Sequence, residues 1–283
     1  MRFLTALLNL VLLICPCALC YGQVSFSSVN GERGYAAMRG SFRWEADNGI
    51  VLLPSGGYYR ISDKEEDETG SVTKFALLVS YSPDDDWTWF AGGHYIPRRL
   101  GFENAGYIAG TQYALCYWCG PFKNAYLRAW GGQSFYDITA YADGTDYPGG
   151  FSTTGTLVAA ELGSELGKFF LQARYEKVIK YNHRPPTHIA AHWTEIPFMT
   201  AVVQGFVRDT FAARAAYRTS WITPYVVYAR YKYMENSDYT VSVAGGLAIH
   251  LEKSTFSGGV EIFEQNREEN RKTYFSVAIN TEF

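Results

Sequence analysis

The chain has 283 residues, and its formal net charge of −3 at pH 7 is too close to neutral to indicate a nucleic-acid partner. Aromatic residues account for 17% of the chain, with 22 Tyr against 18 Phe and 7 Trp, whereas the mean hydropathy is only −0.14. Because no apolar run of about 18 residues follows the first segment, the sequence excludes a helical membrane protein but not a membrane barrel, in which only alternate residues of each strand meet lipid.

The first segment, residues 1–22, has the features of a secretory signal peptide. Arg2 supplies the positive charge, an apolar stretch follows, and small residues then allow cleavage after Cys20 or Gly22. A lipoprotein signal with lipidation at Cys20 is an alternative, although Leu19 stands where a small residue is expected. An uncleaved membrane anchor is a further alternative, but the apolar run is short for one.

Most of the remaining chain consists of segments in which apolar and polar residues alternate. Strict alternation is typical of a β-strand whose two faces lie in different surroundings. In one such segment, Phe169, Leu171 and Tyr175 alternate with polar or charged residues. We predict about fourteen strands, within two of that number, at 35–45, 49–60, 71–82, 87–97, 105–118, 124–137, 154–163, 168–181, 197–208, 210–221, 224–234, 238–251, 255–265 and 272–283.

Turn-forming residues separate these segments. The short connectors include 46–49, 83–86, 208–209 and 223–224, and the long connectors lie at 61–70, 97–105, 138–153 and 181–197. Short and long connectors alternate between the two ends of a membrane barrel, and this alternation does not close between residues 181 and 224. Either one strand predicted there is wrong or residues 23–29 form an additional strand. Because there is no internal repeat and no low-complexity linker, we expect residues 23–283 to form one domain.

The last segment, residues 273–283, alternates strictly and ends with Phe283. One of its faces carries apolar residues such as Phe275 and Val277. An alternating last strand that ends in an aromatic residue resembles the C-terminal signature of Gram-negative outer-membrane β-barrel proteins. In that class the strand closes the barrel and its end is recognised by the barrel assembly machinery. The resemblance therefore implies a location in the cell outer membrane, with this machinery and outer-membrane lipid as partners. It is a resemblance to a broad, porin-like class, and it extends over most of the chain from about Ser71.

Two architectures give the observed alternation. In a soluble sandwich the apolar face is the core and the charged face meets solvent, whereas in a membrane barrel the apolar face meets lipid and the charged face meets a lumen. Small residues on the polar faces, Tyr at the ends of the apolar faces, the signal peptide and Phe283 favour the barrel. The predicted fold class is therefore all-β: an antiparallel transmembrane up-and-down β-barrel of about 12–14 strands.

The predicted inward face is rich in basic residues. We assign to it Arg39, Arg43, Lys74, Arg128, Arg174, Lys180, Arg214, Arg218, Arg230 and Lys232. The acids assigned to the same face are Glu176, Glu261 and Glu282. A basic wall in a narrow lumen concentrates anions, so we hypothesise a passive, porin-like channel for small anionic solutes. The alternative is that these side chains pair with acids and Tyr hydroxyls as a structural network that fills the lumen.

Two other classes of function are kept as alternatives. One is a non-conducting barrel: a receptor, or the membrane part of an envelope export or assembly complex. The other is an outer-membrane lipid-modifying enzyme, for which His94 is the candidate in the most suggestive context. Tyr95 and Ile96 follow it, however, where phospholipase barrels carry Ser and Asn. We predict no catalytic residue and no cofactor.

Cysteine and histidine residues suggest two further sites. Cys116 and Cys119 are predicted to form a disulfide at the end of a strand, because the periplasm is oxidising and Phe122 stands where a thioredoxin motif needs its second Cys.

The second site is the long connector that carries His183, His188, His192 and Glu195. These residues could bind a divalent metal, but loop histidines are usually solvated, so no metal site is predicted. Residues 189–193 of the same connector could instead pack into the barrel mouth as a constriction.

Overall fold

A computed structural model describes residues 21–32, 34–63, 68–99, 101–138, 150–183, 193–199, 202–234, 239–264 and 272–283. Within these ranges, no helix is long and apolar enough to cross a membrane. The described strands are β1 (Tyr21–Gly31), β2 (Ala36–Glu45), β3 (Ile50–Asp63), β4 (Glu68–Tyr81), β5 (Trp87–Arg99), β6 (Phe102–Cys119), β7 (Phe122–Ile138), β8 (Phe151–Leu166), β9 (Phe169–Tyr181), β10 (Trp193–Glu195), β11 (Val202–Gln204), β12 (Val207–Tyr217), β13 (Ile222–Tyr233), β14 (Thr240–His250), β15 (Ser254–Glu264) and β16 (Lys272–Glu282).

Fourteen of these strands form one closed antiparallel barrel. Consecutive strands pair with each other, except that β9 pairs with β12 across the connection that holds β10 and β11. β1 and β16 close the barrel, with partners running from Gln23 and Glu282 to Gly31 and Tyr274. The predicted up-and-down barrel is confirmed, and its strand number lies within the predicted range.

One predicted strand is wrong and one strand is additional. The strand predicted at 197–208 is wrong: β11 pairs only with β10, Met199 and Phe206 are packed among other side chains, and Val207 already begins β12. The additional strand is β1, at the position that the sequence offered as the alternative. The short connectors predicted at 208–209 and 223–224 lie inside β12 and β13, and a register shift occurs between Val207 and Asp209.

With these two changes the barrel has two distinct ends. At the turn end, Gly22 and Phe283 exchange backbone hydrogen bonds, and the connectors between strands are short. At the loop end, the strands extend into two of the predicted long connectors: β3 and β4 reach Asp63 and Glu68, and β5 and β6 reach Arg99 and Phe102. The predicted connectors 138–153 and 181–197 lie largely outside the described residues. The predicted signal peptide lies outside the described residues except for Tyr21 and Gly22, which already belong to β1.

The outer wall carries an apolar belt between two rings of aromatic side chains. Leu77, Leu162 and Val277 in the belt are 47%, 50% and 62% exposed. Exposed aromatic residues near the turn end include Tyr81, Trp87, Phe169, Tyr217 and Trp221, and those nearer the loop end include Tyr58, Tyr95, Tyr107, Phe135, Tyr175, Tyr228 and Tyr239. An apolar band flanked by aromatic girdles is the lipid-facing surface of a transmembrane barrel. The soluble sandwich is therefore rejected, because its apolar faces would be packed inside.

The loop-end half of the interior is filled by side chains. Phe102, Phe206 and Tyr231 are almost fully buried in one cluster that connects several barrel strands with the segment after β11. A smaller cluster around Phe90 and Trp130 covers the inner wall of β5, β7 and β8. The interior is thus packed toward the loop end, whereas a polar cavity of about 650 Å³ lies toward the turn end.

Gly246 and Gly245 on β14 provide a test of the inner and outer faces. A Cβ at Gly246 would lie 2.4 Å from the carbonyl oxygen of Gly258, whereas a Cβ at Gly245 would meet its nearest atom at 3.9 Å. We expect Gly246→Ala to lower the free energy of unfolding by about 1–3 kcal/mol through overpacking, and Gly245→Ala to leave it close to that of the wild type. Urea unfolding in lipid vesicles, followed by Trp fluorescence, measures both. Equal losses in the two variants would contradict the assigned faces.

Candidate functional site: the barrel lumen

Alternating exposure along the strands identifies the side chains that face the lumen. On β12, Phe211 and Tyr217 are exposed, whereas Ala212 and Ala216 are buried, so Arg214 faces inward. The same alternation assigns most of the predicted basic residues to the inner face. They are Arg39, Arg43, Lys74, Arg128, Arg174, Arg214 and Arg218.

Three predicted lumen residues face outward instead. On β13, Val227, Ala229 and Tyr231 are buried in the interior cluster, so Arg230 and Lys232 lie on the outer wall. The prediction was wrong because it took the apolar face of β13 to be the lipid face. That face is apolar because it packs against side chains inside the barrel.

Lys180 is outward for a different reason. A register shift between Thr156 and Leu157 inserts one extra residue into β9 near its end. Beyond the shift, Tyr181 packs inside the barrel, so its neighbour Lys180 lies on the outer face. Simple alternation from Arg174 cannot predict this reversal, because a bulge changes the phase of the strand.

Most lumen-facing bases have an acidic partner. Arg174 pairs with Glu176 and lies near Glu161. Three further ion pairs join Lys74 to Glu195 at 2.7 Å, Arg218 to Glu165 at 2.5 Å and Arg43 to Glu45 at 2.8 Å. The inner wall is therefore much less basic than predicted, because Glu45, Glu161, Glu165 and Glu195 were not assigned to it. These pairs favour the alternative of a structural lumen network over a uniformly basic wall.

Aromatic rings contact two guanidinium groups, those of Arg128 and of the ion-paired Arg174. Arg128 Cζ lies 4.0 Å from the ring centre of Phe90 and 5.7 Å from that of Trp130. Arg174 Cζ lies 4.5 Å from the ring centre of Trp130. Cation–π contact stabilises a desolvated cation without a counter-ion. This stack fixes the two arginines against the wall of β5 and β7.

Arg214 is the lumen base with the fewest partners. Its Cζ lies 5.2 Å from the ring centre of Tyr225, and its Nε is buried without a hydrogen bond. No carboxylate in the described part of the chain lies within 4 Å of its guanidinium. It faces a cavity of about 650 Å³ at the turn end, whose polar lining includes Thr223, His250 and Thr255.

Residues next to β10 and β11 pack inside the lumen. Met199 Sδ lies 3.8 Å from Ser242 Oγ on the inner wall, and Phe206 packs against the rings of Tyr136 and Tyr181. Phe198 lines the turn-end cavity. We call the described residues 193–199 and 202–206 the inner segment. The predicted constriction at 189–193 lies largely outside the described residues, and the inner segment occupies the lumen instead.

Glu195 ties the inner segment to the barrel wall. Its Oε1 accepts a hydrogen bond from Tyr59 at 2.5 Å, and its Oε2 accepts one from Lys74 at 2.7 Å. Burial raises the pKa of Glu195, but the positive charges of Lys74 and Arg39 lower it more, so the net pKa is below its usual value. The carboxylate is therefore ionised across the physiological range. A second cavity of about 390 Å³ borders this contact.

The other predicted sites are located as follows. His94 contacts Asn104 at 2.7 Å, and His250 contacts both Thr223 and Thr255. Cys116 is disulfide-bonded, and the side chain of Cys119 lies outside the described residues. His188 and His192 also lie outside them, and within the described ranges no group of three or more metal-ligating side chains occurs.

No protein-family model and no curated protein matches the sequence. Among solved structures, the chain is similar to OccK11 (OpdR) of Pseudomonas aeruginosa, with 8% identity over 93% of this chain and 96% of that one and a TM-score of 0.48. It is also similar to the toluene transporter TbuX of Ralstonia pickettii, with 10% identity, coverage of 93% and 89%, and a TM-score of 0.48. A third likeness, to the TodX monoaromatic hydrocarbon channel, has 9% identity, coverage of 93% and 88%, and a TM-score of 0.48. These values are too low to indicate function, which the chain's own residues have to decide.

Glu195→Gln tests whether this one carboxylate holds the inner segment. The neutral amide loses the charge-assisted bonds and leaves Lys74 unpaired, which costs about 1.5–3 kcal/mol. We expect amide hydrogens of residues 193–206 to exchange about 10- to 100-fold faster in the variant, as measured by hydrogen–deuterium exchange mass spectrometry. Glu165→Gln, which breaks the pair with Arg218 and leaves the bonds of Glu195 intact, is the control.

The same contact predicts little pH dependence in the wild type. A lowered carboxyl pKa stabilises the fold above the unfolded value of about 4, and that contribution is lost only as the pH falls through the lower folded value. After correction for intrinsic exchange, protection of residues 193–206 should be equal at pH 7.5 and pH 5. A loss of protection by pH 5, or equal exchange in Glu195→Gln and wild type, would rule out the Glu195 contact as the anchor.

Proposed function

We propose that this protein is a porin-like channel of an outer membrane that conducts small solutes. The observation that carries this proposal is the polar cavity of about 650 Å³ inside the turn-end half of the closed barrel. Side chains alone fill barrels of about eight strands, and fourteen strands enclose a wider interior. The apolar belt and its aromatic girdles support the membrane location, and the exposed Phe283 at the end of β16 supports recognition by the barrel assembly machinery.

The proposed solutes are small anions, and the preference is local rather than a property of the whole wall. Paired bases such as Lys74 and Arg174 add little net field, because their acids lie beside them. Arg214 contributes an uncompensated positive charge to the turn-end cavity, where hydroxyl groups of Thr223 and Thr255 can donate hydrogen bonds to an anion. An anionic solute would therefore pass or rest beside Arg214.

The second candidate is a non-conducting receptor or structural barrel, and the inner segment favours it. The loop-end cluster fills the interior with side chains such as Phe102, Phe206 and Tyr231, as expected of a lumen that is permanently closed. In the channel proposal the inner segment has to move before solutes cross. The two candidates therefore differ in whether loosening the inner segment produces conductance.

Planar-bilayer recordings of the purified barrel distinguish the candidates. We expect low or infrequent conductance in the wild type and a several-fold increase in Glu195→Gln, because the variant releases the inner segment from Lys74 and Tyr59. Glu165→Gln should behave as the wild type. If Glu195→Gln loosens the inner segment in hydrogen exchange but the bilayer stays silent, the protein is a non-conducting barrel.

Reversal potentials in a KCl gradient test the anion preference. We expect chloride to be more permeant than potassium, and Arg214→Gln to reduce the permeability ratio about twofold or more, because it removes the uncompensated charge. Arg230→Gln removes one positive charge from the outer wall and is the matched control, with no expected effect. Cation preference in the wild type, or an equal change in both variants, contradicts the role assigned to Arg214.

A further inference from the structure

A basic cluster lies on the outer wall near the loop end, where β9, β12 and β13 pair side by side. We call this the outer basic cluster, and its members are Lys177, Arg208, Arg230 and Lys232 around Asp209. Asp209 is the pairing partner of both Lys177 and Lys232, so these three side chains share the outward face. Arg230 pairs with Phe211, which is exposed on the same face.

Positive charge in this cluster exceeds negative charge. The carboxylate of Asp209 lies 3.6 Å from Arg208 Nε, and no ion pair in the described part of the chain involves Lys177, Arg230 or Lys232. Arg230 Cζ and Lys232 Nζ instead lie 4.1 Å and 5.6 Å from the ring centre of Tyr239. Like charges held together beside a low-dielectric medium repel, so an anion between them would lower the energy.

The cluster lies at the edge of the apolar belt rather than within it. On each strand, an exposed aromatic residue lies two positions closer to the belt than the charged residue. Tyr175 lies on the belt side of Lys177, Phe211 on that of Asp209, and Tyr228 on that of Arg230. Aromatic girdles mark the level of the lipid headgroups, where a charged residue on the outer wall costs little. Lys177, Arg230 and Lys232 are therefore at the depth of lipid phosphates.

We propose that the outer basic cluster binds the phosphate groups of a phosphorylated lipid in the surrounding leaflet. The acyl chains of that lipid lie along the belt below Tyr175 and Phe211, and its phosphates lie among the three unpaired cations. Arg230 supplies a planar donor group that suits phosphate oxygens, and the two lysines add charge. This site rests on the proposed outer-membrane location, but it does not depend on conduction.

Native mass spectrometry of the detergent-solubilised, folded barrel tests the site. The probes are bisphosphorylated lipid A and dephosphorylated lipid A with the same acyl chains. We expect the wild type to retain the phosphorylated form and to release the dephosphorylated one. The triple variant Lys177→Gln/Arg230→Gln/Lys232→Gln should bind phosphorylated lipid A about 100-fold more weakly, since each cation near a charged lipid surface contributes on the order of fivefold.

Two controls separate the site from general effects. Lys168→Gln/Lys253→Gln neutralises exposed lysines at the turn end and should bind lipid A as the wild type does. Circular dichroism melting confirms that each variant is folded, and the comparison of the two lipids in the wild type needs no variant at all. Equal binding of both lipids, undiminished binding by the triple variant, or full displacement by inorganic phosphate at the same concentration as the lipid overturns the proposal. A barrel that binds lipid A but does not conduct keeps this site and rejects the channel.

Discussion

Most charged side chains on the inner wall of this barrel are stabilised by partners within the lumen, because the surrounding strands limit contact with bulk water. This constraint explains the arrangement of the interior. Arg174 pairs with Glu176 on its own strand, Arg218 pairs with Glu165 on β8, and Arg128 contacts aromatic rings. The ion-pair partner of Lys74 is Glu195, which lies on the inner segment rather than on a barrel strand. The wall of β3 and β4 is therefore balanced only while Glu195 is inside, which couples the charge of the barrel to the position of its contents.

The two halves of the lumen differ in chemistry as a result. Toward the loop end, the inner segment brings Met199 and Phe206 into contact with apolar faces of several strands. Toward the turn end, the wall carries hydroxyl groups, His250 and Arg214 around open space. A solute entering from the turn end would meet polar groups first and the side chains of the inner segment afterwards. The packed apolar groups and the polar groups thus lie in different halves of the lumen along the barrel axis.

The sequence alone predicted the barrel, its approximate strand number and most strand positions, because alternation is a direct consequence of strand geometry. On β4 and β12, where the outer face is apolar and the inner face polar, the structure places Lys74 and Arg214 on the inner face. The prediction failed on β13, whose inner face is apolar because it meets the inner segment. It also failed at Lys180, because nothing in the sequence marks the bulge in β9.

The acidic partners were missed for a related reason. Glu161 and Glu165 lie on β8, and many other residues of this strand are small. Its two faces are therefore difficult to distinguish by hydrophobicity. Glu195 was assigned to a solvated loop, and only the tertiary structure brings it to Tyr59 and Lys74. A long-range contact between a loop and a wall leaves no periodic signal. The Cys116 disulfide and the histidines were recognised as residues of interest, but their surroundings could not be predicted.

The pairing of β1 with β16 limits how early in folding the barrel can close. Ser25 donates a hydrogen bond to Asn280, and the two residues are 255 positions apart, so the barrel cannot close until both of these positions have been synthesised. Until then both terminal strands are unpaired edges, which are prone to join other chains. Joining such distant partners is also slow, because the entropy of ordering the chain between them must be lost first. A folding intermediate that exposes these two edges is therefore prone to aggregate until β1 and β16 pair.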